Sequence, residues 1–139
     1  MIQPGTTLEQ LQAFGKNTLI EHLGIELTEV GTDYLCGKMP VDHRTTQPFG
    51  LLHGGASVAL AETLGSLAAH LSVNSEKQFC VGLEINANHI KSVTGGSVYG
   101  KATSIHLGRQ TQIWEIRITN DAGQLVCISR ITMAVLDRK

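Results

Sequence analysis

The sequence predicts an α+β fold in which a curved antiparallel sheet wraps around one long helix. An apolar segment over about 55–73 has helical periodicity and begins at a pair of glycines. Four strand-like segments joined by tight turns follow it, and short connections favour an antiparallel meander. Because a lone helix with an apolar stripe must be covered, we expect the sheet to pack around the helix.

Two short helices and a hairpin precede the long helix. Thr6 with Glu9, and Thr18 with Glu21, have the spacing of capping boxes and predict the starts of the two helices. Both helices are short, so packing rather than propensity must hold them. Strands are predicted over 25–30 and 34–39, with the intervening residues as the turn.

The long helix has two unlike faces. Leu60, Leu64, Leu67 and Leu71 recur at spacings of four, three and four, which predicts an apolar stripe. Glu62 lies about 200° around the helix from Leu60, among small residues, and is the one formally charged residue of this segment. A solvent-exposed face normally carries several charges, so we expect Glu62 to be shielded. A shielded carboxylate must be hydrogen-bonded, paired or used in chemistry, and ordinary surface contacts are the alternative interpretation.

Four strands follow the helix, over about 79–87, 98–107, 111–119 and 125–136. Alternation of apolar residues predicts which side chains share a face on three of them. These sets are Phe79, Val81, Leu83, Ile85 and Ala87; then Gln112, Trp114, Ile116 and Ile118; then Cys127, Ile131, Met133 and Val135.

Composition excludes several classes of function. The 139 residues predict one domain over 1–139, and the net charge of -1 with no basic stripe argues against nucleic acid as a partner. Three isolated cysteines without CxxC spacing predict neither disulfides nor a zinc site and favour a reducing compartment. No segment approaches the ~20 apolar residues of a membrane span, and no signal peptide is visible, so we expect a soluble cytoplasmic protein.

Two stretches resemble the hotdog-fold acyl-CoA thioesterases, in particular the bacterial branch that hydrolyses aromatic acyl thioesters. The first runs from Gln47 through His53-Gly-Gly and continues to Glu62 and Ser66, and the second covers 81–92. The similarity extends over nearly the whole chain. It implies hydrolysis of an aromatic acyl-CoA, with coenzyme A as part of the substrate, no further cofactor and no metal. Two alternatives stay open: an editing hydrolase that acts on an acyl carrier protein, and a non-catalytic acyl-CoA-binding protein.

Thioester hydrolysis needs a stabilised oxyanion and an attacking group, whereas the thiolate, with a thiol pKa of about 8.5, leaves with little help. The N–H groups of Gly54 and Gly55 lie at the start of the helix without intrahelical partners. The resemblance assigns the oxyanion site to the Gly54 amide. It assigns Glu62 as nucleophile or general base, between which the sequence does not choose. Ser66 either orients the carboxylate or water, or is a small packing residue.

The resemblance also implies contacts with substrate. Gln47 contacts the acyl group or the carbonyl, and His53 either supports the oxyanion site or is a structural loop residue. Lys91 and Arg109 are either phosphate ligands or solvated charges at the rim of the site. The residues matching the coenzyme A contacts of the family are Gly82, His89, Ile90, Lys91, Ser92, His106, Leu107, Gly108, Arg109, Gln110 and Thr111.

The spacing within the helix predicts an oligomer. Eight residues separate Gly54 from Glu62, which is about 12 Å along a helix, whereas attack requires reacting groups ~3 Å apart. One helix therefore cannot supply both groups to one carbonyl. Two antiparallel helices related by a two-fold axis can, so we expect at least a homodimer and consider a tetramer as well.

Overall fold

A computed structural model describes Met1–Lys139. The helices are α1 (Leu8–Phe14), α2 (Leu19–His22) and α3 (Gly54–Leu71). The strands are β1 (Glu26–Val30), β2 (Tyr34–Pro40), β3 (Gln78–His89), β4 (Ser97–Leu107), β5 (Thr111–Thr119) and β6 (Leu125–Asp137). None of the helices is long and apolar enough to cross a membrane.

The six strands form one antiparallel sheet in the order β1-β2-β4-β5-β6-β3. The predicted α+β arrangement is confirmed, because α3 packs against one face of this sheet. Glycines allow the close approach: a Cβ on Gly100 would lie 2.6 Å from Leu64, and one on Gly65 would lie 2.6 Å from Ile131. The edges of the sheet are β1 and β3, so the long strand β3 has a free side.

The buried face of α3 is only partly the predicted leucine stripe. Leu60 and Leu64 are fully buried, whereas Leu67 and Leu71 are half-buried. The buried face continues instead through small residues, Ala61, Gly65, Ala68 and Ala69. The helix lies so close to the sheet that small side chains fill the contact, which a pattern of leucines does not reveal.

The first short helix begins one residue later than predicted. Thr7, not Thr6, is the N-cap of α1, and its partner in the capping box is Gln10 rather than Glu9. Both pairs have the same spacing, so the sequence pattern alone does not separate them. Thr18 caps α2 as predicted, through its hydroxyl and the Ile20 N–H.

A bulge in β3 contradicts the prediction that its odd-numbered residues share one face. The register with β6 shifts between Gly82 and Glu84, so Leu83 is the extra residue. Before the bulge the even-numbered Cys80 and Gly82 face α3, whereas after it the odd-numbered Ile85 and Ala87 pack against the core. Val81 and Leu83 are exposed instead. The predicted inward faces of β5 and β6 are confirmed by burial of every residue in both sets.

Candidate active site

The start of α3 is the first part of the candidate site. His53 is the N-cap, and its Nδ1 accepts a hydrogen bond of 2.8 Å from the Gly55 N–H. The His53 carbonyl accepts from Ala56 N and Ser57 N. The Gly54 N–H is left without a partner. Neither glycine N–H has a backbone partner within the helix, as expected, but the sequence pattern did not identify His53 as the cap whose side chain accepts from Gly55.

Glu62 is half-buried in the middle of α3, on the side of the helix that faces β3. Its Oε1 accepts a hydrogen bond of 3.3 Å from the Ser66 hydroxyl. The same oxygen lies 3.1 Å from the position of a Cβ on Gly82. No lysine, arginine or histidine forms an ion pair with Glu62. The carboxylate is thus partly shielded, oriented by one hydroxyl and not neutralised by a cation.

Gln47 holds the loop before α3 with one end of its amide. Its Oε1 accepts hydrogen bonds from the backbone N–H groups of Phe49 and Leu51. Its Nε2 donates to no group within the chain. The loop therefore fixes the orientation of the amide and leaves its two donor hydrogens available, which suits contact with a carbonyl oxygen.

Two residues predicted to bind coenzyme A lie against the predicted catalytic groups. Gly82 borders the Glu62 carboxylate, as above, and the His89 ring borders Gly54, with Nε2 at 2.9 Å from the position of a Cβ. The chain that follows His89 is fixed by its backbone, since the N–H groups of Ile90 and Lys91 both donate to Val126 O. The side chains of Ile90, Lys91 and Ser92 are exposed.

The other predicted substrate residues, 106–111, lie at the far end of the molecule. They form the end of β4 and the turn into β5, closed by a 2.8 Å hydrogen bond from Gly108 N to Thr111 O. Arg109 and Gln110 line a groove with Ser72 and Val73, at the C-terminal end of α3. The His106 ring packs on Gly108, with Nε2 at 2.5 Å from the position of a Cβ.

The predicted substrate residues therefore fall into two groups that one chain does not bring together. His89 is at one end of β3 and borders the start of α3, whereas 106–111 lie near Gln78 at the other end. The twelve residues of β3 span about 36 Å at 3.3 Å per residue. Contact of one ligand with both groups requires a second chain.

The cysteines do not provide an alternative nucleophile. Burial raises the pKa of the Cys80 and Cys127 thiols, and it is also the main cause of the raised pKa of Cys36. A raised pKa keeps a thiol protonated, whereas the thiolate is the attacking form. The cysteines are therefore poor candidates for a nucleophile, and Glu62 is the one carboxylate within α3.

One cavity of the molecule was not predicted. It lies between α1 and the C-terminal half of α3, with a volume of about 500 Å³. Leu11, Phe14, Leu67 and Leu71 supply apolar walls, and Gln10 and His70 are among the polar residues. No sequence pattern indicates this cavity, because its two walls are distant in the chain. Neither Glu62 nor Ser66 lines this cavity, because it lies toward α1 whereas the Glu62 carboxylate faces β3.

Comparisons with known proteins identify the family and the fold. Residues 49–127 match the family profile of the thioesterase superfamily. The proofreading thioesterase EntH of Cronobacter turicensis is 55% identical over 94% of this chain and 94% of that protein. The 1,4-dihydroxy-2-naphthoyl-CoA hydrolase of Escherichia coli is 50% identical over 94% of this chain and 95% of the hydrolase. A crystal structure of a mutant thioesterase from Pseudomonas aeruginosa matches with a TM-score of 0.97 and 49% identity, covering 99% of each chain. The resemblance and the hotdog fold that it implied are thereby confirmed.

Proposed function

Because the chain belongs to the thioesterase superfamily, we propose that it hydrolyses an aromatic acyl-CoA, with 1,4-dihydroxy-2-naphthoyl-CoA as the first candidate, to the free acid and coenzyme A. Such a reaction would serve the biosynthesis of menaquinone. The observation that carries this proposal is the Glu62 carboxylate, held by Ser66 and bordered by Gly82. The relative from Escherichia coli named as a naphthoyl-CoA hydrolase supports the choice of acyl group.

In this mechanism the thioester carbonyl oxygen accepts a hydrogen bond from the unpaired Gly54 N–H and a second from Gln47 Nε2. Glu62 then acts in one of two ways. As nucleophile it attacks the carbonyl carbon, expels the thiolate and forms a mixed anhydride that water hydrolyses. As general base it takes a proton from the water that attacks the carbon. In both versions the Ser66 hydroxyl donates to Glu62 Oε1, so Glu62 Oε2 is free to react. No cofactor or metal takes part in either version.

Two protomers are needed for this site, and the free side of β3 offers the contact. Glu62 faces β3, which is an edge strand, and Val81 and Leu83 are exposed along it. Antiparallel pairing of two such edges across a two-fold axis would place the two α3 helices side by side in opposite directions. Glu62 of one protomer would then approach Gly54 of the other. A pair of such dimers would give a tetramer.

The same pairing explains the separation of the predicted coenzyme A residues. In an antiparallel pair, the 106–111 segment of one protomer lies at the same end as the 89–92 segment of its partner. One coenzyme A can then span both segments, with Arg109 as the phosphate ligand from one protomer. The segment 89–92 supplies Lys91, also suited to a phosphate.

A panel of thioesters tests the acyl group. We expect release of free thiol to be fastest with 1,4-dihydroxy-2-naphthoyl-CoA and with hydroxybenzoyl-CoA, and slower by at least an order of magnitude with acetyl-CoA or palmitoyl-CoA. Equal or faster hydrolysis of the aliphatic substrates would contradict the aromatic assignment. The Glu62→Ala protein is the control for hydrolysis outside this site.

A second candidate is a proofreading thioesterase that clears misacylated aryl carrier protein, and the 55% identity with EntH favours it. Carrier-bound thioesters share the pantetheine arm with coenzyme A but lack its adenine nucleotide. The same hydroxybenzoyl group should therefore be presented both on coenzyme A and on a phosphopantetheinyl carrier protein. A higher kcat/KM with the carrier protein would favour proofreading, and a higher kcat/KM with coenzyme A would favour the first candidate.

A further inference from the structure

We propose that Thr45 and His53 together form a brace, which reserves the Gly54 N–H for the substrate by fixing every other N–H at the start of α3. His53 acts in this brace as a helix cap and not as an acid or a base. The inference rests on the proposed function, because it concerns the oxyanion site of that reaction.

The start of α3 has one free N–H group. An α-helix begins with four N–H groups that have no intrahelical partner, and here they belong to residues 53–56. His53 N donates to the Thr45 carbonyl, and Gly55 N donates to His53 Nδ1 at 2.8 Å. Ala56 N donates to the His53 carbonyl at 3.0 Å. His53 takes part in all three of these bonds, and the Gly54 N–H remains as the single free donor.

The cap makes the two glycines at the start of α3 rigid. Two consecutive glycines have more backbone freedom than any other pair of residues, and they stand where the direction of one N–H must be fixed. An uncapped helix start with two glycines would fray and point the Gly54 N–H in many directions. The cap on Gly55 removes that freedom, because it fixes the peptide unit directly after Gly54.

His53 is itself anchored to a buried residue. Its backbone N–H donates to the Thr45 carbonyl at 2.8 Å. Thr45 is 1% exposed, and its hydroxyl donates to Pro40 O at 2.7 Å and accepts from Asp42 N at 3.1 Å. Because the Thr45 hydroxyl is buried and both donates and accepts a hydrogen bond, the backbone carbonyl of Thr45 is held rigidly. The brace therefore runs from the end of β2 through Thr45 and His53 to Gly55.

The cap also defines what the imidazole does at the start of the helix: in this hydrogen bond Nδ1 serves as the acceptor. A side chain that serves only as an acceptor can be replaced by another acceptor of the N-cap type. Asn and Ser are both effective N-caps, whereas Ala is not, and Gln carries its amide oxygen one methylene further from the backbone than Asn. His53 is accordingly a positioning residue whose function another cap can restore.

The test compares His53→Asn and His53→Ser with His53→Ala and His53→Gln. For each protein, kcat and KM for hydroxybenzoyl-CoA are measured beside hydrogen exchange of the Gly55 and Gly54 amides by NMR. We expect exchange of the Gly55 amide to be slow in the native protein, nearly as slow in the His53→Asn variant, and fast in the His53→Ala variant. Loss of an oxyanion donor lowers rates by about 10²–10³, so we expect kcat to fall by tenfold or more in the Ala and Gln variants, with KM little changed.

If the brace acts as proposed, the four variants must have the same order in kcat as in protection of the Gly55 amide from exchange. An inactive variant with a protected Gly55 amide would show that the imidazole itself contacts the reaction, and an active variant with an unprotected amide would show that the cap is dispensable. Either result overturns the proposal, as does fast exchange of Gly55 in the native protein. If the native protein hydrolyses no acyl thioester, the proposed function fails, while the exchange data still decide whether His53 caps the helix.

A second pair of variants tests the anchor. Thr45→Ser keeps the hydroxyl, whereas Thr45→Val keeps the shape and loses it. We expect the Val variant to lower both kcat and Gly55 protection, and the Ser variant to retain both. Unchanged protection and kcat in the Val variant would remove Thr45 from the brace.

Discussion

Glu62 Oε1 lies 3.1 Å from the point where a Cβ on Gly82 would stand. The bulge after Gly82 turns this residue toward α3 on an edge strand, and the missing side chain gives the carboxylate its space. Glycine here is thus explained by the proximity of a reactive group.

Gly82→Ala should lower kcat while leaving the fold intact, because its methyl group would displace the carboxylate by a few tenths of an ångström. A small misplacement of a reacting group can cost up to about 10²-fold in rate. Gly95→Ala is the matched control, since a Cβ there meets nothing within 4 Å. Steady-state kinetics and thermal melting of both variants check this; unchanged kcat in Gly82→Ala would mean that the Oε1 position is unimportant.

Ser66→Ala should lower kcat more than it changes KM, by about tenfold, because a hydrogen bond to a charged group is worth ~1.5–3 kcal/mol and here orients the reacting carboxylate. Its hydroxyl is 3.3 Å from Glu62 Oε1. Thr63→Ala, which removes a hydroxyl bonded to Ala59 O on the same helix, is the control. Equal kinetics of the two variants would assign Ser66 to packing only.

Arg109→Ala should raise KM for an acyl-CoA more than for the same acyl group on pantetheine alone, because only coenzyme A carries the phosphates of the nucleotide. Arg117→Ala serves as the control: Arg117 is an exposed arginine paired with Glu115, on β5. The same fold increase in KM with both substrates would show that Arg109 does not contact the nucleotide.

Ionisation of the Asp42 carboxyl makes the stability of the folded protein depend on pH. Hydrogen bonds from the Arg44 side chain and backbone lower the pKa of this carboxyl from 3.8 to about 2. A lowered pKa in the folded state stabilises the protein above the unfolded pKa, and this contribution is lost as the pH falls through about 2. Asp42→Asn should therefore be less stable than the native protein in urea at pH 5–7, with the difference shrinking below pH ~4. If the difference in stability between the two proteins were as large at pH 2 as at pH 5–7, ionisation of Asp42 would not be its cause.

Much of the fold follows from local patterns in the sequence. The apolar alternation of β5 and β6 predicts their buried faces, because both strands are regular and covered on one side. The alternation of β3 misleads, because a bulge changes the face without changing the pattern. The capping box of α1 is displaced by one residue for a similar reason: two overlapping sets of residues share one spacing.

The sequence predicted which motif residues belong to the site, but it predicted less of how those residues are arranged. The sequence placed Glu62 and Ser66 on one face of a helix, and their hydrogen bond follows from the spacing of four. The cap on Gly55 was not predicted, because histidine is an uncommon N-cap. Nor was the role of Thr45, since a buried threonine in a loop has no sequence signature.

The claim that two protomers share each site is tested most directly by mixing two inactive variants. Gly54→Pro removes the N–H at the first helical position, where proline is tolerated, and Gly54→Ala keeps the N–H with a similar Cβ. Glu62→Ala removes the carboxylate. We expect Gly54→Pro and Glu62→Ala each to be nearly inactive and Gly54→Ala to retain more activity than Gly54→Pro. After unfolding and refolding of the two inactive proteins together, each mixed dimer should have about one working site of its two. Recovery of hydrolysis on mixing is the predicted result; two variants that stay inactive after refolding into mixed dimers would show that Glu62 and Gly54 act within one chain.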